Sequence, residues 1–194
     1  MIKKILDVEE IIKGCKKNDN AAKEMMYKSF YGYLMGIILR YVKNSYDGEE
    51  LVNDCFIKIF KNINSYQPPA NKAELQKTFK GWLARIASRT AIDKLRTLKN
   101  QSYLDDITEE EHPSNHASVT SDLNVQDILK LLNELPDTHR LVFNLYEIEG
   151  FAHDEISKMM SIPESSSRVY LTRAKNKLRV LYTNTLVNSY ERNG

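Results

Sequence analysis

The sequence predicts an all-α protein of two small helical bundles joined by a flexible acidic linker, with a helix-turn-helix in the second bundle. Apolar residues recur at spacings of three and four along most of the chain, which is the period of an amphipathic helix, and no stretch alternates as a half-buried strand does. Lys99 to Asn124 lacks this period and is rich in acids and serine, as flexible linkers are. We therefore expect domains over residues 1–98 and 125–194, with the linker over residues 99–124.

The distribution of charge separates these segments, although the net charge is only +2. Residues 100–129 contain no lysine or arginine, and their acids are Asp105, Asp106, Glu109, Glu110, Glu111, Asp122 and Asp127. The segment before them carries a basic block, which consists of Lys77, Lys80, Arg85, Arg89, Lys94, Arg96 and Lys99. A second basic block lies near the C-terminus. Two basic segments thus flank an acidic connector. This pattern indicates nucleic-acid binding more strongly than the small net charge does.

The cysteines and the N-terminus indicate the compartment. Cys15 and Cys55 both lie in helical patterns and form no CxxC or Cys/His zinc spacing, so we expect packed, reduced thiols in a reducing compartment. No apolar run approaches the roughly 18 residues that a membrane span needs. The first residues, Met1 to Lys4, lead into a charged amphipathic segment rather than a signal peptide. We expect a cytoplasmic protein with no membrane insertion.

The first bundle begins with two amphipathic helices. Residues 5–17 carry one apolar stripe, and Asn18 to Asn20 end this helix and can cap the next. The second helix is predicted from Ala21 to Val42, with methionine and aromatic residues on its buried face. Asp47, followed three residues later by Glu50, resembles a capping box that opens a third helix.

The third helix has one apolar and one acidic face. Spacing places the following residues on its buried face: Leu51, Val52, Cys55, Phe56, Ile59, Phe60 and Ile63. Its early exposed face holds Asp47, Glu49, Glu50, Asn53 and Asp54. By itself such a face is ordinary solvated surface.

A loop from Asn64 to Asn71, which contains Pro68 and Pro69, precedes the fourth helix. The apolar residues of this helix are Phe79, Trp82, Leu83, Ile86, Ile92 and Leu95, and its other faces carry the first basic block.

The second bundle is predicted to start with a helix from Val125 to Leu135 and a further helix around Leu145, followed by two helices between Gly150 and Arg179. Pro163 cannot continue the earlier of these two helices but fits the first position of the later one. The later helix is basic through Arg168, Arg173, Lys175, Lys177 and Arg179. Its expected buried side is Val169, Leu171, Ala174, Leu178 and Leu181.

This arrangement of a short helix, a tight turn and a basic helix is a helix-turn-helix candidate. The major groove of DNA admits one helix, and the preceding helix supports it at the entrance. The alternative is a helical hairpin with a solvated basic face.

Several segments, taken in order, resemble bacterial sigma factors of the sigma-70 family. Asp47 to Phe60 (DGEELVNDCFIKIF) resembles the family's second-region helix. Phe79 to Ala87 (FKGWLARIA) and Ile92 to Arg96 (IDKLR) resemble its promoter-melting and minus-10 helix. A last set of residues resembles the family's fourth-region helix-turn-helix: Leu135-Pro136, Arg140, Val142-Phe143, Leu145, Glu149-Gly150, Glu155-Ile156 and Arg173 to Arg179 (RAKNKLR). The chain leaves no room for the family's third region. This compact plan resembles that of the extracytoplasmic-function group.

The resemblance implies a sigma factor that binds core RNA polymerase and directs promoter-specific initiation without being an enzyme. Implied partners are the clamp helices of the largest polymerase subunit, the flap of the second largest subunit, promoter DNA and an anti-sigma factor. The clamp helices would bind Asp47, Glu50, Asn53 and Asp54. Minus-10 recognition and melting would use Lys77, Lys80, Trp82, Arg85, Arg89, Lys94 and Arg96, although Trp82 is better explained as a core residue. Tyr66 and the two prolines before the fourth helix would help shape a base pocket.

The minus-35 helix would begin at Glu164, with its opening residues at base edges. The assigned residues are Ser165, Ser166, Ser167, Arg168, Tyr170, Thr172, Arg173, Lys175 and Lys177. The chain departs from the family at three places. It has Ser161 where the family often has glycine, and three serines at 165–167 where the family often has Gly-Thr-Val. It has Tyr170 where arginine is common. These departures leave the family class intact but do not allow a promoter sequence to be transferred.

Two other classes of function fit parts of the sequence. A stand-alone helix-turn-helix regulator with a helical effector domain would bind duplex DNA unaided. The acidic face and the basic fourth helix argue against it.

An enzyme is the other class. His112 and His116 have metal-like spacing, and His153 precedes Asp154 and Glu155. The first pair lies in the predicted linker without a third ligand, and His153 begins a helix. We therefore expect no catalytic residue, metal or cofactor.

Overall fold

The computed structural model describes residues 7–42, 45–102 and 130–191. All regular secondary structure within these ranges is helical, which confirms the all-α fold class. The chain divides into two compact units, Met1–Ala91 and Ile92–Gly194, and each is described by itself. Among the described helices, none is both long enough and apolar enough to span a bilayer.

The first unit contains α1 (Val8–Lys16), α2 (Asn20–Ile38), α3 (Ser45–Asn62) and the first part of α4 (Leu75–Ser102). Short 3-10 turns at Ile63–Ser65 and Lys72–Glu74 lie between α3 and α4. Asp19 caps α2 as expected, because its Oδ1 accepts a hydrogen bond of 2.9 Å from the backbone N–H of Ala21.

The core of the first unit is built from one apolar face of each helix. Fully or almost fully buried side chains at predicted positions are Met26, Leu34, Ile38, Leu51, Ile59, Phe79 and Leu83. Cys15 and Cys55 are both buried and unpaired, as predicted. Burial raises the pKa of each thiol to about 11, so both stay protonated and unreactive.

Two predicted helix boundaries are wrong. α2 ends at Ile38, because residues 39–41 turn and the N–H of Tyr41 donates to the carbonyl of Ile38 over 2.8 Å. Tyr41 and Val42 are buried, so the apolar period continues beyond the helix that it predicted. α3 begins at Ser45, which places Asp47 inside the first turn rather than at the cap that opens the helix.

The second unit contains the rest of α4 from Ile92, helical residues 130–133 and α5 (Asp137–Phe143). It continues with a π-helical turn (Asn144–Ile148), α6 (His153–Met160) and α7 (Glu164–Glu191). Leu132, Leu135 and Ala174 form a buried cluster against which Phe143 and Leu178 pack. The predicted helix from Val125 to Leu135 is described only from residue 130 onwards.

The break between α6 and α7 is a left-handed turn at Ser161, with φ of 55° and ψ of 43°. The N–H of Ile162 donates to the carbonyl of Ser157 over 3.2 Å, and the Ser157 hydroxyl donates to the carbonyl of Ile162 over 2.6 Å. Pro163 directly precedes α7. These bonds fix the predicted break between the helices at one residue.

The predicted linker over residues 99–124 is only partly described. α4 continues to Ser102, so the linker's first residues are helical. Residues 103–124, with His112 and His116, lie outside the described residues.

Candidate nucleic-acid interface

The register of α7 separates a buried face from an outward face. Ser167, Leu171 and Ala174 are buried at spacings of four and three. Because successive residues turn by about 100°, the opposite side carries residues two positions away from these. Four exposed residues in the first half of α7 lie there, and they are called the outward face: Ser165, Val169, Thr172 and Asn176.

Val169 corrects the sequence prediction. It was expected on the buried side, but its side chain is 46% exposed and lies two residues from both Ser167 and Leu171. The sequence showed it as one more apolar residue in a helical pattern. Only the positions of its buried neighbours show that it points away from the core.

Ser167 belongs to the core rather than to the outward face. It is fully buried, and its Oγ lies 2.9 Å from Nδ1 of His153, the first residue of α6. The ring of His153 also stacks on Tyr146, with centroids 4.4 Å apart. Burial lowers the pKa of His153, and Arg168 lowers it further, so the neutral ring is favoured. The predicted base contact of Ser167 is therefore replaced by a role in holding α7 against α6.

Charged residues flank the outward face of α7. Arg168 forms an ion pair with Glu164 one turn earlier, and Lys175 Nζ lies 2.6 Å from Glu147 in the π-helical turn. Arg173 and Lys177 are exposed on the other flank. The predicted phosphate contact of Lys175 thus competes with an ion pair inside the unit.

Tyr170 is half-buried, and its ring centroid lies 5.3 Å from that of His139 on α5. Burial and the charge of Arg173 both lower the pKa of His139, so the neutral imidazole is favoured beside the tyrosine. The contact holds Tyr170 toward α5. Of the predicted base-contacting residues, Ser165, Arg168 and Thr172 are exposed, and Ser166 is half-buried like Tyr170.

The basic block on α4 is split between two sides of the helix. Arg85, Arg89 and Arg96 are exposed at spacings of four and seven, which place them within about 40° of one another; they are called the arginine stripe. Lys80 and Lys94 are half-buried on a different side, and Lys80 Nζ lies 5.3 Å from the ring centroid of Tyr33. Lys77 is exposed near the start of the helix.

An aromatic cluster lies beside the arginine stripe. Tyr66 is buried, with its ring centroid 5.0 Å from Phe79 and 5.4 Å from Trp82, and its hydroxyl lies 3.0 Å from Thr78 Oγ1. Trp82 stacks on Phe79 but remains half-exposed. Tyr66 therefore supports the cluster from inside, while Trp82 both packs and presents part of its ring.

The acidic face of α3, formed by Asp47, Glu50, Asn53 and Asp54, stays on one side of the helix. Asn53 Oδ1 accepts a hydrogen bond of 3.0 Å from the Tyr27 hydroxyl of α2. Tyr46 is 81% and Ile57 is 61% exposed, four residues before Glu50 and four after Asn53. Sequence reasoning missed these two, although their spacing from the acids was visible.

Two family profiles match successive parts of the chain. Sigma-70 region 2 matches residues 26–101, which contain α3 and the arginine stripe. Sigma-70 region 4 matches residues 126–178, which contain α6 and the first half of α7.

Characterised relatives indicate to which group of the sigma-70 family the chain belongs. The ECF RNA polymerase sigma factor SigW of Bacillus subtilis (strain 168) is 25% identical over 184 residues, covering 89% of this chain and 95% of its own length. SigM of the same organism, also an ECF sigma factor, is 24% identical over 159 residues, covering 81% of this chain and 93% of its own. The chain belongs to the extracytoplasmic-function (ECF) group of the sigma-70 family.

A solved relative shares the fold of this sigma factor. The sigma factor RpoE of Bartonella quintana, solved with the anti-sigma factor NepR, has a TM-score of 0.51 at 20% identity. The match covers 82% of this chain and 96% of that one.

Family membership fits a transcription factor rather than an enzyme, as the sequence analysis expected. In the described ranges, no three histidine, cysteine or acidic side chains come together in a way that could hold a metal ion. The ring of His153 is engaged by Ser167 and Tyr146, so the described structure gives it a packing role.

Proposed function

We propose that this sigma factor binds core RNA polymerase through the acidic face of α3 and contacts promoter DNA through α4 and α7. The observation that carries the proposal is the pair of region 2 and region 4 matches in their family order. The region 2 match leaves a stand-alone helix-turn-helix regulator disfavoured, because that class needs only a helix-turn-helix.

Minus-35 recognition is assigned to the start of α7. Helix-turn-helix proteins place the first residues of the second helix at base edges. Ser165, Ser166, Arg168 and Thr172 are the predicted residues that remain accessible there. Arg173 and Lys177 lie on a flank, where cations meet phosphates of any sequence.

Minus-10 recognition and melting are assigned to the arginine stripe and to Trp82. Arg85, Arg89 and Arg96 share one side of α4, so one backbone can follow them. An opened strand also needs an aromatic surface for its unstacked bases. The half-exposed ring of Trp82, held by Tyr66 and Phe79, fits that need.

The polymerase contact is assigned to the acidic face together with Tyr46 and Ile57. Exposed apolar side chains next to acids suit a basic helical partner such as the clamp helices. The opposite charges guide the encounter of the two proteins, and the apolar contacts stabilise the complex. The flap of the second largest subunit is assigned to the second unit, where Tyr146 and Ile148 are exposed. An anti-sigma factor is a further proposed partner, by analogy with the solved relative.

The test combines run-off transcription with charge reversal. The full chain with core polymerase should initiate at specific sites in a genomic template library, which core polymerase alone does not. Reversing Asp47, Glu50 and Asp54 to lysine should weaken core binding by about ten-fold or more, because the introduced lysines would repel the cations of the clamp helices that the acids attract.

A matched triple reversal at Glu10, Glu24 and Glu74 changes the net charge equally on other exposed sites of the first unit. It should leave core affinity within about two-fold, since isolated surface charges contribute little. Equal loss in both triple variants would show that net charge, not the acidic face, governs binding. Absence of any site-specific initiation by the unaltered protein would remove the proposed function itself.

A further inference from the structure

Val169 is an exposed apolar side chain whose neighbours on the outward face, in the first half of α7, are all polar. It is 46% exposed, and its neighbours on the outward face are Ser165 one turn before it, Thr172 and Asn176. None of these carries a charge. The centre of the outward face is therefore neutral and made of small side chains, which allows close approach to another surface.

The charges of α7 bracket this neutral centre. Taking about 100° per residue, Arg168 and Lys175 lie on one flank and Arg173 and Lys177 on the other. A groove edged by two phosphate backbones meets such a helix with cations at both edges and the neutral strip on its floor. Val169 occupies the middle of that strip.

We propose that Val169 contacts the 5-methyl group of one thymine in the minus-35 element. Thymine's methyl is the apolar group that base edges present in the major groove, and apolar side chains are its complement. The assignment rests on the proposed function, because it needs α7 in the major groove. It adds a thymine-specific contact to positions that hydroxyl groups discriminate weakly.

The experiment removes the methyl group from the DNA and the methyl groups from the protein separately. Promoter duplexes that the holoenzyme uses are prepared with deoxyuridine in place of each minus-35 thymine in turn, on either strand. Holoenzyme affinity is measured for the unaltered protein and for Val169→Ala. At one position, deoxyuridine should lower the affinity of the unaltered holoenzyme for the duplex about four-fold, which is the effect of one buried methyl group. Val169→Ala should bind the thymine duplex more weakly and lose that sensitivity.

Val180→Ala is the matched control, because it makes the same change at a valine that is 56% exposed further along α7. It should keep the full deoxyuridine effect. Val169→Thr, which keeps the branched shape and one methyl group, should keep part of the effect, because a threonine methyl can also contact the methyl of thymine. Thermal unfolding of both Val169 variants should match the unaltered protein, since the side chain lies outside the core.

The assignment is overturned if Val169→Ala keeps the deoxyuridine effect at every position, or if no position shows one in the unaltered holoenzyme. A minus-35 element made only of G·C pairs would overturn it as well. These outcomes differ from failure of the proposed function, in which the unaltered protein gives no site-specific initiation and the duplexes cannot be chosen.

Discussion

Ser161 holds a conformation that suits glycine better than serine. Its φ of 55° lies in the left-handed region, where a Cβ crowds the following carbonyl. Serine persists because two hydrogen bonds fix the turn: the N–H of Ile162 donates to the carbonyl of Ser157, and the hydroxyl of Ser157 donates to the carbonyl of Ile162. The family's usual glycine at this position therefore has a physical reason, and this chain keeps the turn without it.

Replacing Ser161 by glycine should raise the free energy of unfolding by about 0.5–1 kcal/mol, because the relieved strain exceeds the added freedom of the unfolded chain. Urea unfolding followed by circular dichroism measures the change. Ser165→Gly is the control, since the same substitution inside helical α7 should destabilise by a similar amount. A destabilised Ser161→Gly variant would mean that the serine side chain contributes more than its strain costs.

At the scale of elements, the contact between α1 and α2 depends on one glycine. A Cβ built on Gly14 would overlap the Cβ of Ala22, which is buried on α2. The helices approach closely there because neither residue carries a larger side chain. Glu9 fixes α1 on another side, since its carboxylate lies 2.6 Å from Lys13 Nζ and 2.9 Å from Lys72 Nζ. Hydrogen bonds from these lysines lower the pKa of Glu9 to about 2.

Replacing Gly14 by alanine should lower the free energy of unfolding by about 1–2 kcal/mol, because overpacking between the helices outweighs alanine's helix propensity. Gly36→Ala on α2 is the control: a Cβ there meets nothing within 4 Å. It should stabilise by about 0.5–1 kcal/mol. The two variants should therefore move the urea midpoint in opposite directions, and a shared direction would contradict the close contact.

At the scale of the whole molecule, the charges of α7 should divide into residues that select a promoter and residues that only strengthen binding. Arg168 lies next to the outward face and is oriented by its ion pair with Glu164. Lys177 lies on the far flank and is exposed. The first geometry suits a guanine, and the second suits a phosphate.

Arg168→Ala should change promoter preference at one or two positions, costing about 1–3 kcal/mol where the guanidinium grips a guanine. Lys177→Ala should instead weaken all promoters alike and reduce the salt dependence by about one unit of slope. Transcription of a promoter library at two salt concentrations separates the two effects. Uniform loss with Arg168→Ala would make Arg168 a phosphate contact and move the base-reading surface elsewhere.

The sequence by itself determined the fold class, the helix-turn-helix, the buried thiols and the family. These follow from local features: apolar periods of three and four, helix breakers such as Pro163, and motifs in a fixed order along the chain. Local features suffice because a helix and its ends depend mainly on residues within a few positions of one another.

Tertiary structure alone decided which side of each basic helix is available. It buried Ser167 against His153 and exposed Val169, and it left Tyr46 and Ile57 exposed beside the acidic face. On α4 it half-buried Lys80 and Lys94 while leaving the arginine stripe exposed. The physical reason is that the amphipathic period of a sequence shows only which residues can share one face of a helix. The exact rotation of a helix depends instead on the neighbours against which it packs. In α7 those neighbours include residues of α5 and α6 and also Leu132 and Leu135, which lie about forty positions before Ala174 in sequence.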